Sequence, residues 1–312
     1  MTLSIENGLI PQEVREVIRS GQCRVFLGSG PSLSSYHSWP DLVNALCNRC
    51  GITPHVTRDS LPDELLNAAQ DAKSADRNAY YKFLGEHFGR SVDSAPLLYD
   101  VLLSLPFACY LTVNFDPMFA LRARTARLPC SLPVRAYPSL DRLQMGNRSI
   151  HYLHGIIAED ATPTEGTIVL ARSEFDEAYG SNSSLMNLLV PTLENDPILF
   201  IGCGLREPAM QHVFAICKKH QQNRLRVMAE LGNPPSKPPS RFIFLSRPKV
   251  INASGALDAQ QSQDKMSEQQ TYYSNFDIEP VWYDAHGNNH SALRLALEQL
   301  AELPDVRPHH GW

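Results

Sequence analysis

The stretch Arg24-Val25-Phe26-Leu27-Gly28-Ser29-Gly30-Pro31-Ser32 carries the first decision about fold. Arg24 to Leu27 is a short β-forming run that passes without a linker into a turn holding two glycines. A strand that feeds a glycine turn and then a helix opens a layered α/β unit. Beyond the turn, Pro40 to Cys50 reads as a helix, with Leu42, Val43, Leu46 and Cys47 on one side and Gly51 as its stop. Before it, Pro11 opens a helix that ends ahead of Gly21. Further strand signals lie at residues 108–113, 133–137, 150–153, 198–201, 241–245 and 280–283. Helical patterns occupy 185–194, 206–220 and 291–300. This alternation predicts a Rossmann-like α/β fold, a mostly parallel sheet with helices on both faces. Residues 61–105 hold three helical patterns and little strand signal, which predicts a small helical insert beside the sheet. The chain 1–312 is expected to form a single domain. Residues 232–240 carry four prolines, and 254–270 start polar and rich in Gln and Ser, so both are expected to be mobile loops.

Composition narrows the function classes. The chain has 312 residues, 43% of them hydrophobic and 20% charged, enough to bury a substantial core. Its net charge of −5 argues against a dedicated nucleic-acid binder, which needs a basic face. No run approaches the roughly 18 apolar residues of a membrane span. The start, MTLSIENGLIPQEV, lacks the basic and apolar regions of a secretory signal. The seven cysteines then read as reduced thiols in a cytoplasm.

Four segments carry chemistry. In the first, Gly28, Ser29, Gly30 and Ser32 form a turn in which backbone N–H groups can approach a pyrophosphate. The dehydrogenase fingerprint is incomplete, because Leu33 stands where a third glycine belongs and no acidic residue ends a second strand. An ordinary strand-to-helix turn fits the same residues. In the second, Thr112-Val113-Asn114-Phe115-Asp116-Pro117 ends an apolar strand. Carboxyl ends of parallel strands line the ligand crevice, and Asn114 and Asp116 offer a donor and acceptors there. The same two side chains suit capping of a helix that Pro117 begins. In the third, His151-Tyr152-Leu153-His154-Gly155 places a histidine at a strand end, where its ordinary pKa suits proton transfer. A structural histidine is the competing reading, and His154 lies nearer the strand's end than His151. In the fourth, Gly202, Cys203 and Gly204 follow another apolar strand, with Glu207 in the first turn of the next helix. No base adjoins Cys203, so it reads as a small filler.

The order of these segments resembles the sirtuin-like family, in particular its compact prokaryotic branch of NAD-consuming proteins. The resemblance runs over about residues 20–300 and includes Trp39-Pro40-Asp41-Leu42 and the tail Val281-Trp282-Tyr283-Asp284 with His290-Ser291-Ala292-Leu293. It implies that Gly28, Ser29, Gly30 and Ser32 form the phosphate-side loop. It places Asn114 and Asp116 around the nicotinamide ribose, His154 as the catalytic base, and Gly202, Cys203 and Gly204 near the adenosine ribose. Deacylase members carry a zinc ribbon of two C-x-x-C pairs. Here the one such pair is Cys47-x-x-Cys50, inside a helical pattern, and only Cys203 and Cys217 follow His154. No structural zinc is expected, and acyl-lysine peptide binding loses its support.

The activity implied is hydrolysis of NAD⁺ to nicotinamide and ADP-ribose, with NAD⁺ as substrate and no metal. The rival expectations are an NAD-dependent protein deacylase and a non-catalytic subunit that senses NAD⁺ or ADP-ribose. The prokaryotic branch further implies antiphage defence by NAD⁺ depletion. The chain's end soon after its last helix leads to an expected separate activator, a HerA-type ATPase or an Argonaute-like protein, and to expected homo-oligomerisation.

Overall fold

A computed structural model describes residues 2–33, 35–90, 95–126, 128, 131–141, 148–180, 183–206, 208–231, 238–252, 255–285 and 290–303. The first elements are β1 (Leu3–Ser4), α1 (Gln12–Arg19), β2 (Arg24–Leu27), α2 (Trp39–Arg49), α3 (Pro62–Ala75), α4 (Arg77–Phe88) and α5 (Leu97–Ser104). Next come β3 (Cys109–Thr112), α6 (Met118–Thr125), β4 (Val134–Ala136), β5 (Ser149–Tyr152), α7 (Arg172–Ala178), α8 (Ser184–Asn195) and β6 (Ile198–Ile201). The rest are α9 (Pro208–Glu230), β7 (Arg241–Ser246), β8 (Val250–Ile251), β9 (Leu257–Asp258), α10 (Ala259–Ser274), β10 (Glu279–Tyr283) and α11 (Ser291–Glu302).

Eight strands form one sheet in the order β1-β10-β7-β6-β2-β3-β5-β4, with every neighbouring pair parallel. Side chains alternate across a strand, so each central strand feeds two cores. Val25, Leu27, Tyr110, Leu199 and Ile201 join one cluster with α1, α2, α5, α6 and α11. Phe26, Leu111, Ile198 and Phe200 join another with α7, α8, α9 and Tyr273 of α10. The expected Rossmann-like α/β architecture, with helices on both faces, is the one observed. The chain leaves β2 toward β3 and later leaves β6 toward β7, on the other side. Adjacent strands whose connections depart in opposite directions create a crevice at their carboxyl ends.

The three helices expected within 61–105 form. α3 and α4 pack beside α2, and α3 also meets α7, whereas α5 lies against α6 and α11. The reading of 254–270 as a mobile loop is corrected: most of that segment is α10. The Asp258 side chain caps it by accepting from Gln261 N at 2.8 Å. At its far end Tyr272 and Tyr273 donate to the carbonyls of Leu205 and Gly204, at 2.9 and 3.0 Å. Of the loop expected at 232–240, residues 232–237 lie outside the described residues, as does Glu207. No described helix is long and apolar enough to cross a membrane.

Candidate active site

The two glycine turns lie back to back at the carboxyl ends of β2 and β6. Gly28 N donates to Ile201 O and Gly30 N to Gly202 O, both at 2.9 Å. A Cβ on Gly28 would sit 2.3 Å from Gly202 O, so only glycine allows this approach. Gly202 has φ +68°, in the left-handed region, with Pro31 Cδ against the position its Cβ would take. The N–H of Gly28 is therefore spent on the end of β6 and that of Gly30 on the second turn. Ser29 and Ser32, on and beside the 3-10 turn Gly30–Ser32, reach the cavity that the turn helps to enclose.

β3 brings the second segment to the same place. Asn114 N donates to Thr112 Oγ1 at 3.1 Å, which folds the chain sharply at the strand's end. The Asn114 side chain is 8% exposed, and its Nδ2 donates to Ser32 Oγ at 3.4 Å. Its Oδ1 is buried with no hydrogen-bond partner among the described residues. Such an orphaned acceptor carries a desolvation cost that a ligand or water donor would relieve. Asp116, one position ahead of the N-cap Pro117, accepts from Met118 N, the first amide of α6, at 3.1 Å while also lining the cavity. Burial lifts its carboxyl from 3.8 to about 6, against the opposing hydrogen bonds from Met118 N and the Ser32 hydroxyl.

β5 delivers His154, half-buried, two residues past its last strand position. Burial lowers its pKa to about 4, so the ring is neutral near pH 7. His154 Nε2 shares a 2.8 Å hydrogen bond with Tyr179 Oη, and the rings of Phe115 and Phe175 flank it. His151 is fully buried and pairs with Ser149 Oγ at 2.7 Å, which is the structural role weighed against it.

Ser29, Ser32, Asn114, Asp116 and His154, from three remote strand ends, line one cavity of about 120 Å³. Apolar and aromatic walls complete it, among them Leu33, Trp39, Phe115 and Phe175. Trp39 Nε1 is a buried donor with no partner among the described residues. Gly202, Cys203 and Gly204 stand behind this wall. Gly202 packs on Gly30, Cys203 Sγ approaches Phe26 O at 4.0 Å, and Gly204 O accepts from Tyr273. Phe175 and Tyr179 escaped the sequence reading because α7 and its end gave no periodic signal. Glu174, three residues after Ala171 and bonded to its N–H, was the available clue to a helix start. No group of three His, Cys, Asp or Glu side chains that could hold a metal occurs among the described residues.

A family model for the SIR2-like domain matches residues 108–271, which takes in Asn114, Asp116, His154 and the second glycine turn but not the first. No curated protein matches the chain. With more than half of the sequence matched, and with a parallel sheet that gathers the asparagine, aspartate and histidine at one cavity, the chain belongs to the SIR2-like family.

Proposed function

We propose that the protein cleaves the nicotinamide–ribose bond of NAD⁺ with water, giving nicotinamide, ADP-ribose and a proton. The family is one of NAD-dependent enzymes in general. The observation that carries the reading is the convergence of Asn114, Asp116 and His154 on one largely apolar cavity, with the Asn114 acceptor left unpartnered.

Nicotinamide leaves as a neutral molecule from a cationic linkage, so it needs no acid. The barrier lies in the oxocarbenium-like ribosyl centre, which a preorganised site lowers through orientation and electrostatics. In this reading Asn114 Oδ1 accepts a hydrogen bond from a ribose hydroxyl or the attacking water. Neutral His154 accepts the proton that the hydroxyl or water gives up. Asp116 fixes the loop at the start of α6, and its carboxylate favours positive charge nearby. Ser29 and Ser32 are assigned to the phosphate side of the substrate. Gly28, Gly30, Gly202, Cys203 and Gly204 shape the crevice from behind.

The resemblance to the prokaryotic NAD-consuming branch supports a wider reading. In it the protein depletes cytoplasmic NAD⁺ in antiphage defence, as a homo-oligomer under a separately encoded activator such as a HerA-type ATPase or an Argonaute-like protein.

The test is chromatographic measurement of nicotinamide and ADP-ribose from NAD⁺, with and without a candidate activator, beside calorimetry of binding. Asn114→Ala and His154→Ala are expected to lower turnover by about 100-fold or more, the scale of a lost proton-transfer or charge-stabilising group. Binding without cleavage in every condition would instead establish a sensor. Turnover that required an acyl-lysine peptide would establish a deacylase.

A further inference from the structure

We propose that Tyr179 is a positioning residue for His154, holding its imidazole in the tautomer that carries hydrogen on Nε2 and a lone pair on Nδ1. The inference rests on the reading of His154 as the base in NAD⁺ cleavage. A neutral imidazole has one N–H and one lone pair, and the partner of one nitrogen fixes the state of the other. Tyr179 Oη takes up Nε2 at 2.8 Å. The nitrogen that serves the cavity as a base is then Nδ1, and its lone pair requires the hydrogen on Nε2, donated to the phenol oxygen. When Nδ1 accepts a proton from the substrate hydroxyl or water, the ring becomes imidazolium. The Nε2–H···Oη bond then strengthens as a charge-assisted one.

The surroundings make this contact a fixed one. Tyr179 is 8% exposed and closes the C-terminal end of α7. Its ring lies 4.7 Å from that of Phe175 and edge-on to His154 at 5.8 Å. α7 is itself anchored through Glu174, whose carboxylate accepts from Lys73, Tyr80 and Tyr81 and from the N–H groups of Leu170 and Ala171. The neighbouring Val169 N donates to His154 O at 3.0 Å. Backbone and ring of His154 are thus both tied to the segment that α7 holds.

The experiment has two arms. In the first, the ring nitrogens of His154 are read by long-range ¹H–¹⁵N correlation in the ¹⁵N-histidine-labelled full chain, with His154→Gln supplying the assignment. The expected result is a pyridine-type Nδ1 and a protonated Nε2, and the opposite tautomer would overturn the proposal. In the second, Tyr179→Phe keeps the ring and removes the hydroxyl. The expected loss in kcat is about 10- to 100-fold, the scale of a hydrogen bond to a charged group, with KM for NAD⁺ within about threefold. A role in packing alone predicts an unchanged kcat, and that result, or a loss confined to KM, would also overturn it. The tautomer arm needs no turnover. It judges Tyr179 even if the wild-type chain leaves NAD⁺ intact, an outcome that would count against the functional reading instead.

Discussion

Asp116 is 3% exposed, and burial raises its carboxyl from 3.8 to about 6. Its charge therefore disappears as pH falls through about 6, within the range where the enzyme can be assayed. His154, the proposed base, behaves in the opposite sense, because burial lowers its pKa to about 4 and keeps it neutral throughout that window. If the carboxylate assists the cationic ribosyl centre, kcat/KM is flat above about pH 7 and falls as Asp116 takes up a proton. The base fails only nearer pH 4. Asp116→Asn is expected to lower the plateau about 10-fold and to erase the limb near 6, leaving the lower one. A profile of kcat/KM for both proteins reads this directly. A limb near 6 that survives the substitution would assign it to another group.

At the scale of elements, one buried carboxylate ties α7 to both α3 and α4. Glu174 Oε1 accepts from Lys73 Nζ at 3.0 Å and Tyr81 Oη at 3.1 Å, and Oε2 accepts from Tyr80 Oη at 3.2 Å. Glu174 and Lys73 are 5% and 8% exposed, so removing Glu174 leaves the buried ammonium one ion pair among the described residues, the longer 3.7 Å contact with the half-exposed Glu165 carboxylate. Glu174→Ala is expected to cost about 3 kcal/mol in urea unfolding, in keeping with breaking a buried pair. Faster amide exchange at Leu170 and Ala171, which lose their acceptor, should accompany it. A cost under about 1 kcal/mol would show that the pair adds little beyond packing. This network also marks where sequence reading stops. Strands β2, β3, β5 and β6 were legible because short apolar runs end in glycine, asparagine or histidine. Asn114, Asp116 and His154 were legible because each lies a few residues beyond such a run. α7 has seven residues, too few turns for a periodic signal. The partners that define Glu174 lie 93 to 101 positions away, a separation no local pattern reports. α10 buries only Tyr273 and so lacks the apolar stripe by which a sequence announces a helix.

Over the whole molecule, acid stability follows from histidines that three separate regions bury in neutral form. His87 on α4, His151 on β5 and His154 in the cavity are each lowered to about 4, with burial the largest cause every time. Nearby positive charge adds to the effect at two of them, from His37 and Arg90 at His87 and from Arg135 and Arg24 at His151. Unfolded histidine titrates near 6.5, so between about 6.5 and 4 the unfolded chain binds more protons at these sites. Their contribution to stability is complete above about 6.5 and is lost as pH falls toward 4. Asp116 works against this. Its folded pKa of about 6 exceeds the unfolded 3.8, so protonation there favours the folded chain as pH drops. Three depressed histidines against one raised carboxyl leave a net uptake of about two protons on unfolding near pH 5. The urea midpoint is therefore expected to fall steadily from about pH 7 to about pH 5 at constant m-value. His151→Gln, at a buried site that does not line the cavity, should flatten that slope while sparing the activity profile. A midpoint independent of pH across this window would mean that the histidines open to water without unfolding the sheet that encloses them.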